Sequence, residues 1–102
     1  MNLRCYELAV QFYRRVRTKK MPYHLKDQLQ RASSSIALNL NEGWGKKGRR
    51  DRVKFFQIAF GSIREVQGIC KLEPESFDQS DISTLDHLAA SVYKLIKNSR
   101  VP

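Results

Sequence analysis

Between Lys46 and Lys54 the chain places six basic residues, Lys46, Lys47, Arg49, Arg50, Arg52 and Lys54, against one acid, Asp51. Clustered guanidinium and ammonium groups beside glycines can bind anions, phosphates above all. Position says more than number. Arg49, Arg50 and Arg52 fall in the first turn of a predicted helix, where the macrodipole is already positive. Each exposed cation there costs about 0.3–1 kcal/mol, and a helix selected only for stability would carry acids instead. Two readings compete, a solvated solubility loop and a phosphate-contacting patch, and the position of the arginines favours the patch. Trp44 can stack on a base, although a tryptophan at a helix end more often covers the end of a bundle. A second run, Arg14, Arg15, Arg17, Lys19 and Lys20, closes the first predicted helix. There the dipole is negative and cations stabilise, so the run needs no partner to explain it. We count it with the candidate nucleic-acid surface, which an assembly, though not a single protomer, can make continuous.

Other chemistries fail on spacing. Gly43-Trp44-Gly45-Lys46-Lys47-Gly48 matches G-x-G-x-x-G, but the dinucleotide fingerprint needs a strand before it and a βαβ unit around it. A helical pattern precedes it here, and Glu65, the acid about twenty residues on, also lies in one. No G-K-[ST] follows at Walker A spacing. Cys5 and Cys70 lie far apart, His24 and His87 belong to no cluster, and no metal-ligand spacing occurs. Both cysteines read as small buried apolar residues. No Ser-His-Asp set or paired carboxylates emerge. Ser33, Ser34 and Ser35 read as small residues that permit close helix packing or bond to the preceding turn. The expectation is a protein without catalytic residues, cofactor or metal.

Four stretches show helical periodicity and none shows sustained strand alternation. The first runs from about Leu3 to Thr18, with Cys5, Leu8, Ala9, Phe12 and Val16 on one stripe. The second runs from about Tyr23 to Glu42 on Leu25, Leu29, Ala32, Ile36 and Leu40. The third runs from about Gly48 to Lys71 on Val53, Phe56, Ala59, Phe60, Ile63, Val66 and Ile69, with Gly48 in the N-cap place. The fourth runs from about Asp81 to Asn98 on Ile82, Leu85, Leu88, Ala89, Val92, Leu95 and Ile96, capped by Ser80 or Asp81. Short connections predict an all-α, antiparallel up-down-up-down four-helix bundle. With the turn between the second and third helices centred near 46–47, Arg31 should face Ser62 and pair with Glu65. Glu42 should approach Arg49, Arg50 or the free amides of the turn. Helices 1 and 3 carry apolar faces wider than one seam requires, and Tyr6, Tyr13, Phe55 or Ile58 could meet a second subunit.

The 102 residues suit one domain spanning 1–102, with a modest core that gives self-association an early prior. The charge is +9, from 19 Lys/Arg and 10 Asp/Glu. It is unevenly spread: residues 1–54 carry 14 Lys/Arg against four acids, and the remainder is net −1. No uncharged stretch approaches the ~20 apolar residues of a membrane span. Arg4 and Glu7 interrupt what would be a signal peptide's apolar region. The expected setting is the cytoplasm, away from membranes.

Arg31-Ala32-Ser33-Ser34-Ser35-Ile36-Ala37-Leu38-Asn39-Leu40-Asn41-Glu42-Gly43-Trp44-Gly45-Lys46, followed by Phe55-Phe56-Gln57-Ile58-Ala59-Phe60-Gly61-Ser62-Ile63-Arg64-Glu65, carries a resemblance. It is similar to the bacterial four-helix-bundle proteins encoded in intervening sequences of large-subunit ribosomal RNA genes. These are related in fold to the accessory variability determinant (Avd) proteins of diversity-generating retroelements. The pattern is R-A-x-x-S-I-x-x-N-[IL]-x-E-G-[FW]-G-[RK], then I-A-x-G-S-x-x-E, with weaker similarity over nearly the whole chain. The resemblance implies an antiparallel bundle assembled into a homopentameric barrel with a basic surface suited to nucleic acid. For the Avd relatives it implies an accessory that binds a reverse transcriptase and nucleic acid. Carried over, the motif positions are Arg31, Ser35, Asn39, Glu42, Gly43, Gly45, Gly61, Ser62 and Glu65, as fold-forming and loop-forming residues. The chain departs from the pattern in a shorter connection at Lys19–Pro22, Ala37 in place of proline, Asn41 in place of a small apolar residue and Arg52 in place of an aromatic.

The expected function is therefore non-enzymatic binding of nucleic acid, RNA foremost, through phosphates, by a homo-oligomer. The alternative is a protein–protein adaptor, such as an Avd-like partner of a reverse transcriptase.

Overall fold

The computed structural model describes residues 3–99, and the architecture among them is all-α. The helices are α1 (Leu3–Arg17), α2 (Tyr23–Gly45), α3 (Arg49–Leu72) and α4 (Gln79–Ser99), with a 3₁₀ turn at Pro74–Ser76 before α4 and no strand. α2 packs on α1 and α3, and α4 packs on α1 and α3, so each helix has two neighbours. The stripes read from periodicity form one core. Phe12, Leu29, Ile36, Leu40, Phe56, Ile63, Leu85 and Leu88 are completely or almost completely buried in it. Each such side chain contributes about 1.5–3 kcal/mol relative to exposure. Cys5 and Cys70 lie in the same core and are not joined in a disulfide. Burial pushes the Cys5 thiol up to about 11. Cys70 rises to about 11 through burial first and the nearby Asp81 charge second. Both are poor nucleophiles at neutral pH.

The ends of the helices explain themselves locally. Pro22 precedes α2, and its carbonyl accepts the first turn's amides from Leu25 and Lys26 at 3.1 and 2.9 Å. The end of α1 and the connection just after it are met by a cation: Lys26 Nζ donates to Arg17 O, the last of the helix, at 3.0 Å and to Lys19 O, the arrangement a C-terminal dipole favours. Before α4, Asp78 Oδ1 accepts from the Asp81 amide at 2.8 Å while Asp81 Oδ2 accepts from the Asp78 amide at 3.0 Å. This reciprocal pair is a capping box. The cap is thus Asp78, with Asp81 as its return partner, rather than Ser80 or Asp81 acting alone.

Two further differences from expectation share one cause. α2 does not stop at Glu42 but continues through Gly43 and Trp44 to Gly45. Gly43 belongs inside the helix because a Cβ there would lie 2.5 and 2.7 Å from the Phe56 ring atoms. The glycine permits close approach and does not break the helix. The connection is then Lys46–Gly48, and Ser62 Oγ donates to Ser35 Oγ at 2.8 Å. That pairing centres the turn between residues 48 and 49, two positions later than expected. Arg31 consequently does not meet Glu65. It is exposed and pairs with Asp27 one turn back on its own helix, and Glu65 is exposed on α3.

Candidate nucleic-acid interface

Motif positions separate into three groups. Ser35, Asn39 and Ser62 come together at the α2–α3 seam, where Asn39 Nδ2 donates to Ser35 O at 2.8 Å and to Ser35 Oγ at 3.0 Å. Gly43 makes the close approach to Phe56. Arg31, Glu42, Gly45, Gly61 and Glu65 are exposed, and a Cβ on Gly45 or Gly61 would meet nothing within 4 Å. Glu42 lies 3.7 Å from Lys46 Nζ, one turn on, rather than beside Arg49 or Arg50. The α2 continuation moved the arginines away from it. The serine run divides as well. Ser34 Oγ bonds the Arg31 carbonyl of the preceding turn at 3.0 Å. Ser33 is buried, with an Oγ that has no partner among the described residues.

The basic segment begins where α2 ends. Lys46 caps α2 in extended conformation, its amide bonded to Gly43 O, and Gly48 occupies the N-cap of α3 without a side-chain bond. Arg49, Arg50 and Arg52 therefore do stand in the first turn of α3, against its dipole. Their surroundings differ. Arg52 Nη2 donates to the Lys46 carbonyl at 2.8 Å, clamping the connection, and its buried Nε has no partner among the described residues. Lys47, Arg49 and Arg50 are exposed, and none has an ion-pair or hydrogen-bond partner from a side chain among the described residues. Lys46 and Lys54 place their ammonium groups 5.2 and 5.9 Å from the centroid of the Phe55 ring. Trp44 is half-buried and meets Phe56 edge-on, with centroids 5.7 Å apart. It packs over the end of the core.

The run that closes α1 is built differently. Asp81, 1% exposed, takes Lys19 Nζ at 2.7 Å and Arg15 Nε at 3.2 Å. Arg15 Nη2 reaches Thr84, and Lys19 Nζ also donates to Ser76 O. Burial alone would raise the Asp81 carboxyl. The Lys19 bond, the Asp78 amide and the charges of Lys19 and Arg15 outweigh it and hold the carboxyl below the usual range. Arg14, Arg17 and Lys20 remain exposed. Sequence reasoning missed Asp81 as the anchor of this region. The Asp78-x-x-Asp81 spacing carried a signal for the capping box, but its meeting with α1 depends on packing. The two basic runs lie at opposite ends of α2, whose 23 residues span about 33 Å.

Among the described residues, no group of three or more His, Cys, Asp or Glu is placed to hold a metal ion. No helix among them is long and apolar enough to cross a membrane. No curated protein and no solved structure shows significant similarity to the chain. A family model described as 23S rRNA-intervening sequence protein matches residues 1–98, which include the serine seam, Gly43 and the whole basic connection. The chain belongs to the family of 23S rRNA-intervening sequence proteins.

Proposed function

We propose that this protein binds nucleic acid, RNA foremost, through phosphate contacts at the α2–α3 connection, and acts as a binding protein rather than an enzyme. The observation that carries the reading is the trio Lys47, Arg49 and Arg50: exposed, unpaired and set against the dipole of α3. A helix N-terminus with clustered cations suits phosphate. The family's description ties its members to ribosomal RNA genes, which is compatible with an RNA-associated role. Recognition through phosphates makes shape, rather than base identity, the first determinant.

The arrangement proposed is an up-down-up-down bundle that self-associates, as the pentameric barrel the resemblance implies. The bonds Arg15–Asp81 and Ser35–Ser62 support alternating directions, because they join the end of α1 to the start of α4 and the middles of α2 and α3. Exposed Leu38, Ile58 (42%) and Leu72 (68%) support a second copy on the outer faces of α2 and α3. A single-protomer mass in sedimentation at micromolar concentration would remove the assembly. A protein partner such as a reverse transcriptase would use the same basic end, and its gene beside this one would favour that partner. The setting proposed is the cytoplasm.

The test is the salt dependence of RNA binding. Affinity should fall steeply between low and moderate salt as counterions are released, and Arg49→Glu/Arg50→Glu should abolish most of it. Affinity indifferent to both would remove the reading.

A further inference from the structure

Phe55 stands apart from the other phenylalanines. Phe12 and Phe56 are core residues, and Phe60 and Phe77 pack against the core. Phe55, in the second turn of α3, is half-buried without joining that cluster. What lies against its ring is charge: Lys46 Nζ at 5.2 Å, from across the connection, and Lys54 Nζ at 5.9 Å, from the preceding residue. Two other rings also lie beside cations, Phe12 beside Arg15 and Phe77 beside Lys19. In those pairs the ring serves the core and the cation is held by Asp81. At Phe55 the ring is outside the core and the cations are loosely held. Lys54 has no ion pair, and Lys46 meets only the solvent-exposed Glu42, a weak contact.

We propose that Phe55 is a stacking platform for an unpaired nucleobase, flanked by Lys46 and Lys54 as phosphate contacts, so that this end of the molecule prefers single-stranded to duplex nucleic acid. The inference rests on the nucleic-acid reading above and names its substrate class. A ring face that attracts ammonium groups also stacks on a base. An exposed cation–ring contact is worth less than a base–aromatic stack, so an arriving base displaces an ammonium from the ring. That ammonium then lies beside the backbone of the same strand, where the neighbouring phosphate accepts it. Bases in a duplex have both faces covered by their neighbours and cannot use the ring. Lys47, Arg49 and Arg50 alone would hold either form through phosphates.

The test compares a single-stranded RNA of about 10 nucleotides with a duplex of the same length, by fluorescence anisotropy at about 0.1 M salt. Wild-type protein should bind the single strand more tightly. Phe55→Leu should weaken single-strand binding about tenfold, leave duplex binding within about twofold and leave the salt slope unchanged, since no phosphate contact is lost. Phe55→Trp should retain single-strand affinity and add an indole signal quenched by the strand but not by the duplex. Phe55→Leu binding both forms like wild type, or weakening both equally, would overturn the stacking role while leaving the phosphate reading intact. Loss of sedimenting assembly in Phe55→Leu would overturn it too, by making Phe55 a contact between copies. Wild-type protein binding neither RNA would remove both readings together.

Discussion

At the end of α1, five Lys/Arg lie within seven residues; at the start of α3, six lie within nine. Two members of the first group are tied into the fold, and the other three, Arg14, Arg17 and Lys20, are exposed at a helix end whose dipole favours them. Lys19 and Arg15 converge on a buried carboxylate, their charges sit where the α1 dipole welcomes them, and Lys26 from α2 completes the last turn. The second group has one member turned inward, Arg52, while Lys47, Arg49 and Arg50 have no counterion and stand where a dipole repels them. Similar densities of cations thus have two meanings. Lys19 and Arg15 are answered inside the molecule and hold it together, whereas Lys47, Arg49 and Arg50 are unanswered there and stand against a dipole, which is why we propose them as the binding surface.

The largest effect should come from breaking the answered end. Asp81→Ala removes the return half of the capping box and the counterion of Lys19 and Arg15 together, while Asp78 still accepts from the amide at 81. The cost should be about 3 kcal/mol in urea unfolding, with RNA binding at the other end unchanged where the protein is folded. Because the folded carboxyl is held below its ordinary value of 3.8, its contribution is complete above that pH. It is lost as pH falls through the lower, folded value. Acid unfolding below about pH 4 should therefore be blunted in Asp81→Asn relative to wild type, from a lower starting stability.

The next effect strikes the opposite end from within. Gly43→Ala places a methyl against the buried Phe56 ring and should cost about 2 kcal/mol by overpacking, read as a lowered thermal midpoint. Arg52→Ala should cost about 1 kcal/mol through the lost bond to the Lys46 carbonyl, and should loosen the connection without removing an exposed charge. Smallest, and opposite in sign, Arg50→Ala should stabilise by about 0.3–1 kcal/mol in the free protein. A loss of stability there would mean that Arg50 has an internal role, and the contrast between the two runs would fail.

The helices and their buried stripes were legible because Leu29, Ile36, Phe56 and Ile63 repeat at helical spacing whatever their neighbours do. The end of α2 was not. Gly43 and Gly45 are weak helix formers taken locally, and only Phe56, across the seam, shows why Gly43 must be helical. That misplaced end displaced the facing register, so the Arg31–Glu65 pair gave way to Ser35–Ser62. The basic runs were legible as charge, and the dipole argument separated them by position. Their separation by partner was not legible, because Asp81 lies more than sixty residues from Arg15 and Lys19 in sequence and reaches them only through the α1–α4 contact. Phe55 was legible as apolar surface, whereas its two ammonium neighbours depend on how the connection turns.

The most direct test of the account is RNA affinity against salt concentration for wild type, Arg49→Glu/Arg50→Glu and Arg14→Glu/Arg17→Glu side by side. Wild type should show a steep salt slope, and the α3 pair should lose about 100-fold with a slope shallower by about two. The α1 pair should lose far less. Equal losses from the two pairs, or a slope unchanged by the α3 pair, would contradict it.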